Sequence, residues 1–197
     1  MPNRHELTPA DILPNVEYAK VRKEERARIT ELKRNRRVDV GPIVTFYFEN
    51  YDTMWLQVQE MVLIEKGGPE QVPGELLAYN PLIPKGRELV ATFMIEIPDA
   101  ERRRKILATL GGIEEHVFFS LGDNRIKAVA ETDQDRTTAD GKASSVQFVH
   151  FPFTGELAEE FRKPGAEIVL GIAHPQYNHM TVLPEAVREA LAKDFDE

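Results

Sequence analysis

Glu115-His116-Val117-Phe118-Phe119-Ser120-Leu121-Gly122-Asp123-Asn124-Arg125-Ile126-Lys127-Ala128-Val129-Ala130-Glu131 is the stretch that decides the fold. Two β-rich runs flank Gly122-Asp123-Asn124, residues that tolerate left-handed backbone, so the segment reads as a tight hairpin. A tight hairpin joins antiparallel neighbours, whereas parallel strands need a long crossover. A regular array of alternating parallel strands and helices is therefore disfavoured.

Working outward, apolar and β-branched runs at 43–48, 90–95, 146–151 and 168–172 read as further strands. The first of these is apolar on both faces, which suits a central strand. Thr8-Pro9-Ala10-Asp11 opens a short helix that Pro14 closes. Asn15 opens a long helix to about Arg36. Its stripe (Tyr18, Val21, Ile29, Leu32) is thin, as in a helix lying on the surface of something else. Residues 54–65 form a helix with Met54, Trp55, Val58, Met61 and Val62 inward, so Trp55 is expected to be largely buried. Gly67-Gly68-Pro69 stops it. Shorter helices follow at 73–79, 100–110, 155–162 and 184–194, and 132–144 reads as a polar loop. The expected class is α+β: a mixed, largely antiparallel sheet of about six strands with helices on one side. Residues 1–197 form one domain, with 1–37 a helical extension packed on or beside the sheet.

The chain has 197 residues, of which 42% are hydrophobic and 29% charged, a globular balance. With no cysteine, thiol nucleophiles, disulfides and iron–sulfur clusters held by this chain are excluded. The start, Met1 to Glu6, has no apolar secretion core, and no run approaches the ~20 residues of a membrane span, so a cytoplasmic protein is expected. The net charge of −8 disfavours nucleic acid as a partner. Lys20 to Arg37 is nevertheless a basic run on an acidic body, fit to dock an acidic partner or the body itself.

Phosphate loops, dinucleotide fingerprints, nucleophile elbows, His-Glu-x-x-His and di-iron carboxylate motifs are all missing. What stands out is His174-Pro175-Gln176-Tyr177-Asn178-His179, after the apolar run 168–173. Two imidazoles on a turn past a strand can share a divalent metal if Glu49, Glu60, Glu96 or Glu114 completes the set. Alternatively, His174 caps a strand end and His179 lies on the surface. Gln57 and Glu60 share a face of a mostly apolar helix. They form either a narrow solvent face or a polar patch in which Glu60 has a raised pKa and acts as a base. Arg36 and Arg37 suit the negative end of a helix, or a bidentate anion. Tyr79-Asn80-Pro81 is a helix stop that could also hydrogen-bond a ligand, and Tyr177 would wall a pocket beside the histidines.

Several motifs together carry a resemblance that covers nearly the whole chain. They are Lys33-x-x-Arg36-Arg37-Val38, Phe48-Glu49-Asn50, Gln57-Val58-Gln59-Glu60-Met61, Ala78-Tyr79-Asn80-Pro81-Leu82-Ile83-Pro84, Met94-Ile95-Glu96, Gly112-Ile113-Glu114 and His174-Pro175-x-Tyr177-x-His179. The combination resembles a bacterial family catalogued as a numbered domain of unknown function. Its members are often encoded beside rubrerythrin-like proteins and heterodisulfide-reductase-like iron–sulfur proteins. The resemblance implies a redox or peroxide-stress setting and carries over no catalytic residue. Two readings result. One is an accessory protein that binds a small ligand or a redox partner, the partner being rubrerythrin-like, an iron–sulfur protein or a second copy of the chain. The other is a metal-dependent enzyme built on His174 and His179.

Overall fold

The computed structural model of the protein describes residues 4–131 and 141–196, so most of the polar loop expected over 132–144 lies outside the described residues. In chain order the elements are α1 (Asn15–Lys33), β1 (Arg37–Val40), β2 (Val44–Glu49), α2 (Tyr51–Ile64), α3 (Val72–Tyr79), β3 (Glu88–Ile95), α4 (Ala100–Leu107), β4 (Val117–Leu121), β5 (Asn124–Lys127), β6 (Val129–Ala130), β7 (Val146–Pro152), α5 (Gly155–Arg162), β8 (Ile168–His174), β9 (Tyr177–Val182) and α6 (Glu185–Ala192). Every strand pair is antiparallel. The fold is α+β, and the hairpin at 115–131 is its β4–β5 pair, with Leu121 opposite Asn124.

The strands are divided between two sheets, ordered β1-β2-β3-β7-β6 and β5-β4-β8-β9, where one sheet was expected. The reason is physical. Apolar periodicity says which face of a strand is buried but not which neighbour it pairs with. β4 pairs β8, Phe119 opposite Leu170, and leaves the sheet that β2 and β3 began.

The sheets share one core. Phe46 and Phe48 of β2, Phe93 of β3, Phe119 of β4, Phe151 of β7 and Phe161 of α5 are all 0–1% exposed. Phe119 is central, with its ring 4.6 Å from Phe151, 5.8 Å from Phe48 and 6.1 Å from both Phe153 and Phe161. These offset and edge-on arrangements add to the area each ring buries. Val187, Leu191 and Phe195 bring the C-terminal helix into the same core.

A second core lies on the opposite face of β3. There Met54, Val58 and Val62 of α2 and Val72 and Leu76 of α3 meet Val90, Ile83 and Leu7. Asn50 caps α2 by accepting from Thr53 N–H at 3.0 Å. Trp55 is only half-buried, against expectation. The helix is rotated so that Met54, Val58 and Gln59 face inward. The indole lies at the rim, its Nε1 donating to Asp11 O at 2.9 Å and its ring edge-on to Tyr18.

The segment before α1 is held by two side-chain amides. Asn80 pairs with both backbone groups of Leu7, accepting from its N–H at 2.8 Å and donating to its C=O at 2.9 Å. Gln59 is fully buried, and its amide orientation is assigned from its partners. It does the same at Leu13, with contacts of 2.6 and 3.3 Å.

Candidate functional site

The β8–β9 hairpin carries the two histidines singled out above. His174 ends β8 opposite Tyr177, and His179 lies in β9 opposite Ile172, a strand not expected from the sequence. His174 is buried. Its Nδ1 accepts from Gln176 N–H at 3.2 Å and its Nε2 lies 3.3 Å from Gly111 O, an arrangement that suits the Nε2–H tautomer. Its ring meets His116 edge-on at 5.1 Å. His179 is exposed and packs on Tyr177 at 4.5 Å. Tyr177 is buried, donating to Val40 O at 2.7 Å and accepting from Ile43 N–H at 3.3 Å, and so stitches the β8–β9 hairpin to the β1–β2 turn. Gly41 (φ 71°) makes that approach possible, because a Cβ there would lie 2.5 Å from the Tyr177 hydroxyl and 2.6 Å from the His179 ring.

For His174 to ligate a metal it would have to give up one of its two hydrogen bonds. Among the described residues, no group of three or more His, Cys, Asp or Glu side chains is arranged to hold a metal ion. Glu49 accepts from Thr53 and Thr92 at 2.7 and 2.8 Å. Glu96 accepts from Thr45 and Tyr47 at 2.7 and 3.0 Å. Glu114 is buried in the turn before β4.

Glu60 behaves opposite to the raised-pKa base considered above. The hydrogen-bonded Arg22 guanidinium, with Tyr18 and Arg26, outweighs burial and holds its carboxyl down at about 2. Arg22 is bidentate at 2.8 Å, Tyr18 donates at 2.6 Å and Arg26 at 3.0 Å, so Glu60 ties α2 to α1. The basic run thus docks partly on the body's own acid. Gln57 meets Tyr79, its amide 3.3 Å from the hydroxyl, while Asn80 is engaged with Leu7. Arg36 is buried and paired with Asp194, whereas Arg37 is exposed and paired with Asp39 at 3.2 Å. The candidate residues are therefore dispersed over the molecule, and Arg36, Glu60, Asn80 and Tyr177 are each engaged by partners within the fold.

One titratable constellation was not foreseen. The His150 ring lies between two carboxylates, Nδ1 2.9 Å from Glu88 of β3 and Nε2 2.6 Å from Glu131, just past β6. Strand alternation explains the geometry: Val149 and Phe151 fill the inter-sheet core, so His150 points to the other face. That alternation was the signal available in the sequence. Burial alone would lower the pKa of His150, but hydrogen bonds and charge from Glu88 and then Glu131 raise it above the ordinary 6.5. Glu88 moves the other way: burial raises its pKa, and the hydrogen bond and charge of His150, together with the Lys85 N–H and ammonium, outweigh that and lower it.

The folded state therefore binds the His150 proton more tightly than the unfolded chain does. The stabilisation is fully present below pH 6.5 and is lost as pH rises through the raised folded pKa. The Glu88 contribution is present above its ordinary 4.5 and is lost as pH falls through its lowered folded pKa. We expect His150→Gln to cost about 1–2 kcal/mol at pH 6 and progressively less towards pH 9. Denaturant titrations at several pH values check this, and a pH-independent cost would contradict it.

Several concavities flank the second core, and two of them bear on the candidate site. A cleft of about 260 Å³ is lined by Arg4, His5, Asn50, Tyr51, Asp52 and Asp194. Its charges are largely spent inside the protein: Arg4 pairs with Asp11, His5 with Asp196 and Asp194 with Arg36. A groove of about 280 Å³ lies between the segment before α1 and the α2–α3 turn, lined chiefly by Ile12, Leu13, Pro14, Val62, Pro69 and Val72. Asn15 is the polar side chain on its wall. A mainly apolar cavity with few polar groups is the usual form of a small-molecule site.

Fold and site together define a two-sheet α+β protein in which a helical layer on one sheet face holds an apolar groove. The chain belongs to the family described as "Protein of unknown function (DUF3501)", whose model matches residues 6–195. It is similar to a crystal structure of a novel protein of unknown function from Burkholderia pseudomallei K96243. The two share 35% identity and a TM-score of 0.89 over 96% of this chain and 99% of that one. No curated protein matches it. Among the described residues no helix is long and apolar enough to cross a membrane.

Proposed function

We propose that this is an accessory protein that binds a small apolar molecule in the groove between residues 12–15 and the α2–α3 turn. The observation that carries the reading is the groove itself: mainly apolar, and lined by the segment before α1, the end of α2 and the start of α3. Its size suits a fragment-sized ligand rather than a helix or a peptide. The polar residues first considered as ligand contacts support the reading indirectly, since Arg36, Glu60, Asn80 and Tyr177 are occupied by partners within the fold. A cytoplasmic redox or peroxide-stress setting, with a rubrerythrin-like or iron–sulfur partner, belongs to the same proposal and rests on the family resemblance.

Screening of small aromatic fragments by two-dimensional amide NMR tests it. Binders should shift the amides of Ile12, Asn15, Gly67 and Gly68. Shifts confined to the cleft at His5 and Tyr51, or to the β8–β9 hairpin, would overturn it.

A further inference from the structure

We propose that the protonated ring of His150 is a latch that holds the short edge strand β6 against β7, and that loss of its proton lets residues 129–131 detach. Both ring nitrogens face a carboxylate oxygen, Nδ1 that of Glu88 at 2.9 Å and Nε2 that of Glu131 at 2.6 Å. An imidazolium has a proton for each, whereas a neutral ring has a single N–H. After deprotonation a lone pair must face one of the two carboxylates, and that contact turns repulsive.

Glu131 is the arm that gives way. Glu88 belongs to β3, which pairs with both β2 and β7, and it also accepts from Lys85 N–H at 3.1 Å. The Glu131 carboxylate is held by His150 and by no second side chain among the described residues. β6 itself is short: Val129 lies opposite His150 and Ala130 opposite Val149, and Glu131 N–H then donates to Phe148 O at 3.1 Å. Burial does not hold it, since Val129 is 55% exposed. One residue earlier the chain is anchored, because Ala128 is buried and its N–H donates to Val117 O at 2.9 Å. Ala128 is therefore the hinge, at the point where the chain passes from pairing with β4 to pairing with β7.

The charged groups that face the ring are Glu88, Glu131 and, behind Glu88, Lys85. The two carboxylates outweigh burial and keep the proton in place above the ordinary 6.5. The latch is thus closed near pH 6 and opens as pH rises through the raised value.

Amide hydrogen exchange by NMR tests it, with the His150 ring resonances followed in the same samples. The quantity read is protection, the exchange rate of an amide set against that of the unstructured chain at the same pH. As the ring titrates, Glu131 should lose about tenfold protection relative to Ala128, the equivalent of one charge-assisted hydrogen bond. In His150→Gln the Glu131 amide should already be poorly protected at pH 6. In Glu131→Gln the step should vanish, because a side-chain amide can turn a donor or an acceptor to either form of the ring. Constant protection at Glu131 through the ring titration overturns the proposal. So does an equal loss at Ala128, which would mean opening of the whole domain. Full protection in His150→Gln, or a step that survives Glu131→Gln, overturns it as well.

Discussion

Replacing Arg36 with methionine is expected to lower the unfolding free energy by about 3–5 kcal/mol. Arg36 is 4% exposed and Asp194 9%. The guanidinium donates to both Asp194 oxygens, one at 3.1 Å, and to the carbonyls of Phe48 and Glu49 at 2.9 Å each. Methionine leaves a buried carboxylate without its cation and removes the guanidinium's bonds to two carbonyls. Burial already pushes the Asp194 carboxyl up against the pull of Arg36. Without Arg36 that carboxyl takes up a proton more readily, so the variant should recover part of its stability as pH falls. The double variant Arg36→Met, Asp194→Leu should recover most of the loss, because a buried pair replaced whole is often neutral. Urea titration followed by circular dichroism decides the matter. A single-variant loss under about 1 kcal/mol would show that the pair is not sealed from water.

Phe119→Ala should cost a similar amount, about 3–5 kcal/mol. The ring is fully buried and touches Phe48 and Phe151 of the other sheet as well as Phe161 of α5. Its loss opens a cavity where both sheets and a helix meet, which the rigid β-layers cannot close. Phe119→Leu should cost clearly less. A double-mutant cycle with Phe151 should show coupling above about 0.5 kcal/mol, since the rings are 4.6 Å apart. Additive losses would mean that the sheets pack independently.

What could be read from the residues was what local chemistry determines. Gly122-Asp123-Asn124 announced the β4–β5 turn, and Gly67-Gly68-Pro69 announced the end of α2. Long-range pairing was hidden. Arg36 at a helix end looked like a dipole effect because its partner Asp194 is 158 positions away. His150 looked like a strand residue among others because Glu88 lies 62 positions before it. His174 and His179 drew attention by closeness in sequence, yet the hairpin gives the first to Gly111 O and Gln176 N–H and the second to the Tyr177 ring. Trp55 shows the limit of helical periodicity, since a small rotation of α2 moved it to the rim.

Asn80 and Gln59 hold the chain at Leu7 and Leu13 through main-chain groups alone. A grip on the backbone is indifferent to spelling. Thr8, Pro9 and Ala10, all exposed, can be rewritten across generations without loosening it, whereas neither amide can be exchanged for a residue that lacks both a donor and an acceptor. Divergence between relatives should therefore gather at these exposed positions and spare the two side chains that hold the segment.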